Sequence, residues 1–191
     1  MNFLSRKRGR SVLSKFTKQD RGATAIEFAL VFAPFIYLLA GTFETGIMLF
    51  SEHTLDNATA ETGRLIRTGQ AQNSGMSSAD FKAQICAQVL LPNCASKLYV
   101  DVRKYDTFAD VTTPSSISTD SDGNNEVSDD ISTSSQFQTG GPGDVVVVRV
   151  YYEWELMMPQ IPGLDSFANL SGNRRLLKSS FAFKNEPYSE D

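Results

Sequence analysis

An apolar run near the N-terminus is the feature that most constrains the fold. Between Ala23 and Phe50, the carboxylates of Glu27 and Glu44 are the only charges in 28 mostly apolar residues. About 20 such residues in a helix cross the hydrocarbon core of a bilayer. The run therefore predicts one transmembrane helix over residues 23–50, in which Pro34 causes a kink rather than an end. Because an ionised carboxylate is costly in hydrocarbon, Glu27 and Glu44 are candidate functional residues.

The charges on either side of this run predict its orientation. Residues 1–22 carry seven Lys or Arg and one acidic residue, whereas residues 51–191 carry eleven basic and nineteen acidic residues. A basic flank directly before a span stays on the cytoplasmic side of the membrane. We therefore expect a single-pass membrane protein, with a cytoplasmic leader at 1–22 and a C-terminal domain outside the cytoplasm, in the periplasm or beyond. This interpretation is favoured over a nucleic-acid-binding arm, so no nucleic-acid partner is expected.

The two intramembrane carboxylates differ in position. Glu27 lies five residues into the run, whereas Glu44 lies near its outer end. At that depth the Glu44 side chain has two alternatives: it reaches the water at the interface, or it pairs with a charge on a neighbouring subunit. Reaching the water is the favoured alternative.

The periplasmic location bears on the two cysteines, Cys86 and Cys94, which are eight positions apart. An oxidising compartment favours a local disulfide between them, and the alternative is a pair of buried thiols. A metal site is disfavoured because His53, the one histidine, is more than thirty residues from either cysteine. We expect neither a metal nor a cofactor.

Helical periodicity continues beyond the span. Leu55, Ala58, Leu65 and Ile66 recur at helical spacing, and Gly69 is a suitable C-terminal cap, so residues 51–69 are predicted to continue the same helix. A break near Ser51 is the alternative. A second helix is predicted after Ser77, because Ser77-x-x-Asp80 is a capping-box pattern.

Three later runs alternate apolar and polar residues, as strands with one buried face do. They are Lys97–Tyr105, Asp144–Met157 and Asn173–Lys184. We expect an α+β domain over residues 70–191, with a second helix and a three- or four-stranded antiparallel sheet. The long N-terminal helix precedes this domain.

An acidic segment separates the first two predicted strands. Residues 106–143 contain seven acidic residues, fourteen Ser or Thr, and no Lys or Arg. Such a composition buries little apolar surface, so we expect a mobile loop. Within it, Asp120-Ser-Asp122-Gly-Asn124 has the alternating oxygens of a calcium loop, but its glycine is misplaced for an EF-hand, and a solvated loop is favoured.

The sequence offers no arrangement that supports catalysis. His53 has neither a Ser nor a Cys partner at a spacing that suggests a nucleophile, and no glycine-rich phosphate loop is present. Glu153 and Glu155 share a strand face, but Arg149 on that face favours a surface charge cluster over an acid–base pair. We therefore name no catalytic residue and do not expect an enzyme.

The start of the span, Arg21-Gly-Ala-Thr-Ala-Ile-Glu-Phe-Ala-Leu30, has a further pattern. A basic leader ends in Gly22, the apolar helix follows at once, and Glu27 is the fifth residue after the glycine. This arrangement resembles the prepilin signal of type IV pilins and their relatives. The resemblance implies that a prepilin peptidase cuts between Gly22 and Ala23. It also implies that the long helix and the α+β domain form a type IV pilin-like architecture.

Two further motifs narrow the resemblance. Gly41-Thr-Phe-Glu-Thr-Gly46 closes the span, and Lys184-Asn-Glu-Pro-Tyr188 lies near the C-terminus. With the first motif they are similar to the TadE-like minor pilins, or pseudopilins, of the Tad/Flp tight-adherence system. TadF-like proteins share the N-terminal pattern. The family's C-terminal motif corresponds to Asn185, Glu186, Pro187 and Tyr188.

The resemblance implies a role and a set of partners. The Glu27 carboxylate would pair with the N-terminal ammonium of a neighbouring subunit, and the protein would initiate, cap or assist assembly of a Tad/Flp pilus that supports adhesion. The implied partners are the prepilin peptidase, TadF-like and major Flp pilins, and the inner-membrane assembly platform. The protein would reside in the inner membrane or, within a pilus, outside the cell. The alternative is an uncleaved single-pass protein with a periplasmic binding or adhesion module.

Overall fold

The computed structural model describes residues 20–188, and it describes side chains from Thr24 onward. The predicted leader therefore lies outside the described residues, except for its last three positions. The chain divides into two units, one up to Thr42 and one from Phe43, and each is described by itself.

One helix, α1, spans Asp20–Arg67 and contains Pro34. Its continuity through Ser51 confirms the prediction of a single long element. In the first unit its apolar side chains are exposed on all sides: Ile26, Phe28, Leu30, Val31, Phe32, Phe35, Ile36, Tyr37, Leu38 and Leu39. A helix that is apolar all round suits a hydrocarbon environment. It is long and apolar enough to cross a membrane, which agrees with a single-pass membrane protein.

The second unit contains the rest of α1 and four shorter helices. These are α2 (Gln70–Asn73), α3 (Ser78–Gln88), α4 (Cys94–Lys97) and α5 (Asp129–Ser132). The predicted capping box at the start of α3 is confirmed, because Ser77 Oγ accepts a hydrogen bond from the Asp80 N–H at 3.2 Å and the Asp80 carboxylate accepts one from the Ser77 N–H at 3.0 Å. Gly69, two residues beyond α1, has φ of 79°, the left-handed conformation that glycine adopts readily.

Five strands lie in the described part of this unit: β1 (Leu98–Tyr105), β2 (Ile117–Thr119), β3 (Asn125–Val127), β4 (Val145–Glu155) and β5 (Arg174–Lys184). The three long strands form an antiparallel sheet in the order β1-β4-β5, and β2 pairs with β3 in a separate hairpin. In the central register, Val148 on β4 lies opposite Val102 on β1 and Phe181 on β5. The predicted strands and the α+β class are thus confirmed.

The main core lies between one face of the sheet, the second half of α1, and α3. On α1 buried residues recur every three or four positions, as one face of a helix requires: Glu44, Met48, Ser51, Leu55, Ala58, Thr62 and Ile66, with Thr59 buried beside Ala58. Gly63 permits a close approach to β5, because a Cβ atom there would lie 2.7 Å from Phe181 Cδ1. The cluster also includes Phe81 and Ile85 of α3.

The acidic segment 106–143 contributes a second cluster on the other face of the sheet. Ile131 of α5 is fully buried, and it belongs to a cluster with Tyr151 and Leu176 of the sheet, against which Ile117 and Val127 pack. The elements β2, β3 and α5 place Ile117, Val127 and Ile131 in this cluster, whereas Phe108 is exposed. Most residues of the segment are nevertheless exposed, which agrees with the expectation that it buries little apolar surface. Its mobility stays a prediction.

Candidate functional site

The predicted cleavage site and Glu27 lie at the start of α1. The backbone of Gly22 and Ala23 is helical. The Glu27 side chain is exposed between two exposed apolar neighbours, Ile26 and Phe28. Within residues 24–188, Glu27 has no salt-bridge partner. Among the described residues, nothing thus satisfies this carboxylate on an apolar helix surface.

Glu44 has an entirely different environment. Its side chain is 1% exposed. Its Oε1 accepts a hydrogen bond from the Met157 N–H at 3.0 Å, and its Oε2 accepts one from the Met158 N–H at 3.0 Å. These two N–H groups follow the end of β4 at Glu155, so they have left the ladder of the sheet. The carboxylate satisfies both donors, as a buried carboxylate requires.

This environment corrects the prediction that the Glu44 side chain reaches water. The residue belongs to the unit of the folded domain and occupies its interior. The sequence does contain a signal for this position. Glu44 precedes Met48 by four residues and Ser51 by seven, so it shares their helix face, and that face is the buried one.

The predicted C-terminal motif begins with Asn185, which is 3% exposed. Its Nδ2 donates hydrogen bonds to the carbonyl oxygens of Thr139 at 2.9 Å and Gly141 at 3.0 Å. Its backbone N–H donates to Asp144 O at 2.9 Å. Asn185 therefore joins the end of β5 to the turn that leads into β4.

The next residues of the motif reach the end of α1. The Glu186 N–H donates to Arg67 O at 2.9 Å, and Glu186 Oε1 lies 3.3 Å from Arg67 Nε. The Tyr188 ring covers Gly69 so closely that a Cβ atom there would lie 2.4 Å from Tyr188 Cγ. The Tyr188 hydroxyl donates to Gly140 O at 3.3 Å. Pro187 is exposed. The motif is thus a clasp that closes the C-terminal end of α1 onto the sheet.

Cys86 of α3 and Cys94 of α4 form a disulfide, with their Cα atoms 5.7 Å apart. The bond joins the two helices on either side of Pro92. The carbonyl oxygen of Pro92 accepts a hydrogen bond from the Tyr152 hydroxyl at 2.6 Å, which ties the same turn to β4.

The supposed surface charge cluster on β4 is largely buried, which corrects that prediction. Arg149 is 5% exposed and Glu153 is 8% exposed. Arg149 Nη1 lies 3.4 Å from the buried Asp101 carboxylate, and its Nη2 donates to Thr112 O. The segment 106–143 supplies part of the cover, so the polar face of the strand is an internal network. The alternating pattern alone did not show this, because it does not reveal what covers a face.

The Glu153 carboxylate has two partners in this network. It accepts hydrogen bonds from the Tyr99 hydroxyl at 2.6 Å and from Arg174. Burial and the hydrogen bond to Glu153 raise the pKa of Tyr99 to about 12. Glu155 instead forms an ion pair with Lys97 at 2.6 Å. These pairings leave Glu153 and Glu155 as structural charges with separate partners.

The calcium-like run forms the turn between β2 and β3. Asp120 Oδ1 accepts hydrogen bonds from the backbone N–H groups of Asp122 at 2.9 Å and Asn124 at 2.8 Å. The hydrogen bonds from Asn124 lower the pKa of Asp120. In the described part of the chain, no group of three or more His, Cys, Asp or Glu side chains is arranged to hold a metal ion.

Part of the chain matches a known protein family. Residues 22–64 match the family model described as TadE-like protein. This part of the chain is TadE-like. The match begins at Gly22, includes Glu27 and Glu44, and confirms the resemblance seen in the sequence motifs. It covers less than a quarter of the chain and does not reach the clasp, so the resemblance of the C-terminal motif stays a prediction. No curated protein and no solved structure matches the chain.

The TadE-like match contains both candidate carboxylates, Glu27 and Glu44. The structure shows that these two carboxylates, which the sequence presented as similar candidates, have different environments. Glu44 is satisfied inside the chain's own domain, whereas Glu27 is exposed on an apolar surface. Glu27 is therefore the better candidate for contact with another molecule.

Proposed function

We propose that this TadE-like chain is a prepilin-like minor pilin, or pseudopilin, that initiates, caps or assists assembly of a Tad/Flp pilus and so supports surface adhesion. The observation that carries the proposal is the family match that begins at Gly22 and contains an exposed Glu27 on an otherwise apolar helix. The role is structural, and we propose no reaction catalysed by this chain.

The first step of the proposal is processing. A prepilin peptidase would cut between Gly22 and Ala23 on the cytoplasmic side of the inner membrane, with the folded domain in the periplasm. The cut removes seven basic residues with the leader and creates an ammonium group at Ala23. The new N-terminus thus places a positive charge at the start of the apolar helix, four residues before Glu27.

The second step is pairing between subunits. Residues four apart lie on the same face of a helix and are about 6 Å apart along its axis. A neighbouring copy or another pilin, displaced by about 6 Å along a parallel helix, brings its own ammonium to the level of Glu27. Breaking a charge pair inside a low-dielectric environment is costly, so the pairing favours one register over others. Partners in this step are the TadF-like and major Flp pilins, gathered at the inner-membrane assembly platform.

Determination of the mature N-terminus by mass spectrometry of membrane-purified protein tests the processing step. We expect Ala23 as the first residue. Gly22→Trp should abolish the cut, whereas Gly46→Trp is a matched control, because Gly46 lies in the same helix with nothing within 4 Å of its Cβ position. A wild-type chain that still begins at Met1 would refute processing and favour an uncleaved protein with a periplasmic binding module.

Glu27→Gln tests the pairing step separately. The variant keeps the cleavage site, so we expect normal processing together with a loss of co-purification with the other pilins. Glu52→Gln, a substitution of the same chemistry further along α1, is the control and should co-purify as the wild type does. Equal recovery of pilins with Glu27→Gln and wild type would disprove a pairing role for Glu27.

A further inference from the structure

The loop that follows β4 has an unusual composition for an exposed connection. From Leu156 to Leu164 the sequence has no charged residue, and it includes two methionines, an isoleucine and two prolines. Met157 is 53% exposed. Residues 157–163 are called the methionine loop below.

The Glu44 side chain holds the start of this loop beside α1. The carboxylate binds the N–H groups of Met157 and Met158, so the start of the loop lies beside Glu44. The next charged residue along α1 is Glu52, which is about 12 Å further along the helix axis at 1.5 Å per residue. The loop is thus anchored to the apolar part of α1, before the polar part begins.

The exposed surface of α1 at this level is apolar as well. Phe43 is 60% exposed, Leu49 is 50% exposed and Phe50 is 63% exposed. These residues continue, along the same helix, the exposed apolar surface of the candidate span. Large apolar patches on a protein surface mark a contact with a partner or a membrane. Their continuity with the span favours a lipid surface as the partner.

We propose that the methionine loop is a membrane-contacting element. It lies at the boundary between lipid headgroups and acyl chains together with Phe43 and Phe50. Apolar side chains of interfacial segments enter this boundary by about 5–10 Å. The Glu44 hydrogen bonds hold the loop at that depth and so give the folded domain a second point of attachment to the bilayer, beyond the span itself.

Quenching of tryptophan fluorescence by brominated phosphatidylcholine tests the proposal in vesicles that contain the full chain. Trp154→Phe serves as the background, because Trp154 Nε1 is buried without a hydrogen-bond partner among the described residues, so the substitution breaks no hydrogen bond there. Single tryptophans are then placed at three exposed apolar positions: Met157 for the loop, Phe35 for the span and Leu90 for the side of the domain.

We expect Phe35→Trp to be quenched strongly and Leu90→Trp, at a side chain that is 96% exposed, to be quenched weakly. Met157→Trp should be quenched well above Leu90→Trp, and more by bromines near the headgroup than by bromines near the end of the acyl chain. Quenching of Met157→Trp no greater than that of Leu90→Trp, while Phe35→Trp is quenched, would overturn the proposal. So would quenching that appears only when other pilins are added. The comparison of Met157→Trp with Leu90→Trp in vesicles of the full chain requires neither cleavage nor pilus assembly.

Discussion

The Glu44 carboxylate accepts a 3.0 Å hydrogen bond from the backbone N–H of Met158, a residue 114 positions later in the chain. With the bonds from Met157, this contact joins α1 to the end of β4 inside the folded unit. One residue of the TadE-like segment thus has a folding role that differs from the assembly role proposed for Glu27. The two roles are separable by substitution.

Glu44→Ala should lower the free energy of unfolding of the domain by about 2 kcal/mol, because it removes the buried carboxylate that accepts hydrogen bonds from two partly buried N–H donors. Urea unfolding of the full chain in detergent micelles measures the change. Glu61→Ala is the control, since Glu61 forms an exposed ion pair with Arg64 and such pairs contribute little. Equal losses in the two variants would contradict an anchoring role for Glu44.

Gly69→Ala should destabilise the domain more than Gly75→Ala does. Both glycines have positive φ, 79° and 63°, so both substitutions cost about 1 kcal/mol in backbone strain. A Cβ atom at Gly75 meets open space, whereas one at Gly69 meets the Tyr188 ring. The difference between the two unfolding free energies therefore measures the clasp contact.

Combining Gly69→Ala with Tyr188→Ala separates this contact from strain at the backbone. Removing the ring should make Gly69→Ala cost about as much as Gly75→Ala. A double-mutant cycle that shows independent effects would mean that Tyr188 does not press on Gly69 in solution.

The elements of the fold were largely predictable because their signals are local. Alternation identified β1, β4 and β5, and a Ser and an Asp three residues apart identified the start of α3. Such patterns arise because apolar residues on a buried face recur every second position in a strand and every three or four positions in a helix. The N-terminal motif could also be recognised from the sequence alone, because its residues are contiguous.

The environments of polar residues were harder to predict because they depend on distant chain segments. The sequence predicts that Arg149 lies on the surface. In the structure it binds the Asp101 carboxylate and the carbonyl oxygen of Thr112. The sequence likewise predicts that the Glu44 side chain reaches water. In the structure it binds the backbone N–H groups of Met157 and Met158 instead. In both cases the residue type suggested water or a partner subunit, and tertiary contacts determined the outcome.

Asp101→Asn should open the cover formed by residues 106–143 and lower the unfolding free energy by about 3 kcal/mol, because it leaves the buried Arg149 charge without its counter-ion. Asp101 also accepts a 2.9 Å hydrogen bond from the Gln136 N–H, so this amide reports on the cover directly. Faster hydrogen exchange at residues 112–136 is the expected result. Asp106→Ala, at an exposed carboxylate, should leave exchange unchanged. Fast exchange of this segment already in the wild type would show that the cover is mobile.

Tyr152→Phe should reduce the loss of stability at alkaline pH. Burial, with a smaller contribution from Glu155, raises the pKa of Tyr152 from 10.0 to about 12. Because the folded-state pKa is the higher one, the stabilisation is fully present below pH 10 and is lost as the pH rises toward 12. Urea unfolding at a series of pH values across this range measures the slope. Some slope should persist in the variant, because the pKa of Tyr99 is raised to about 12 as well. A variant whose stability falls as steeply as that of the wild type would show that Tyr152 ionises equally in both states.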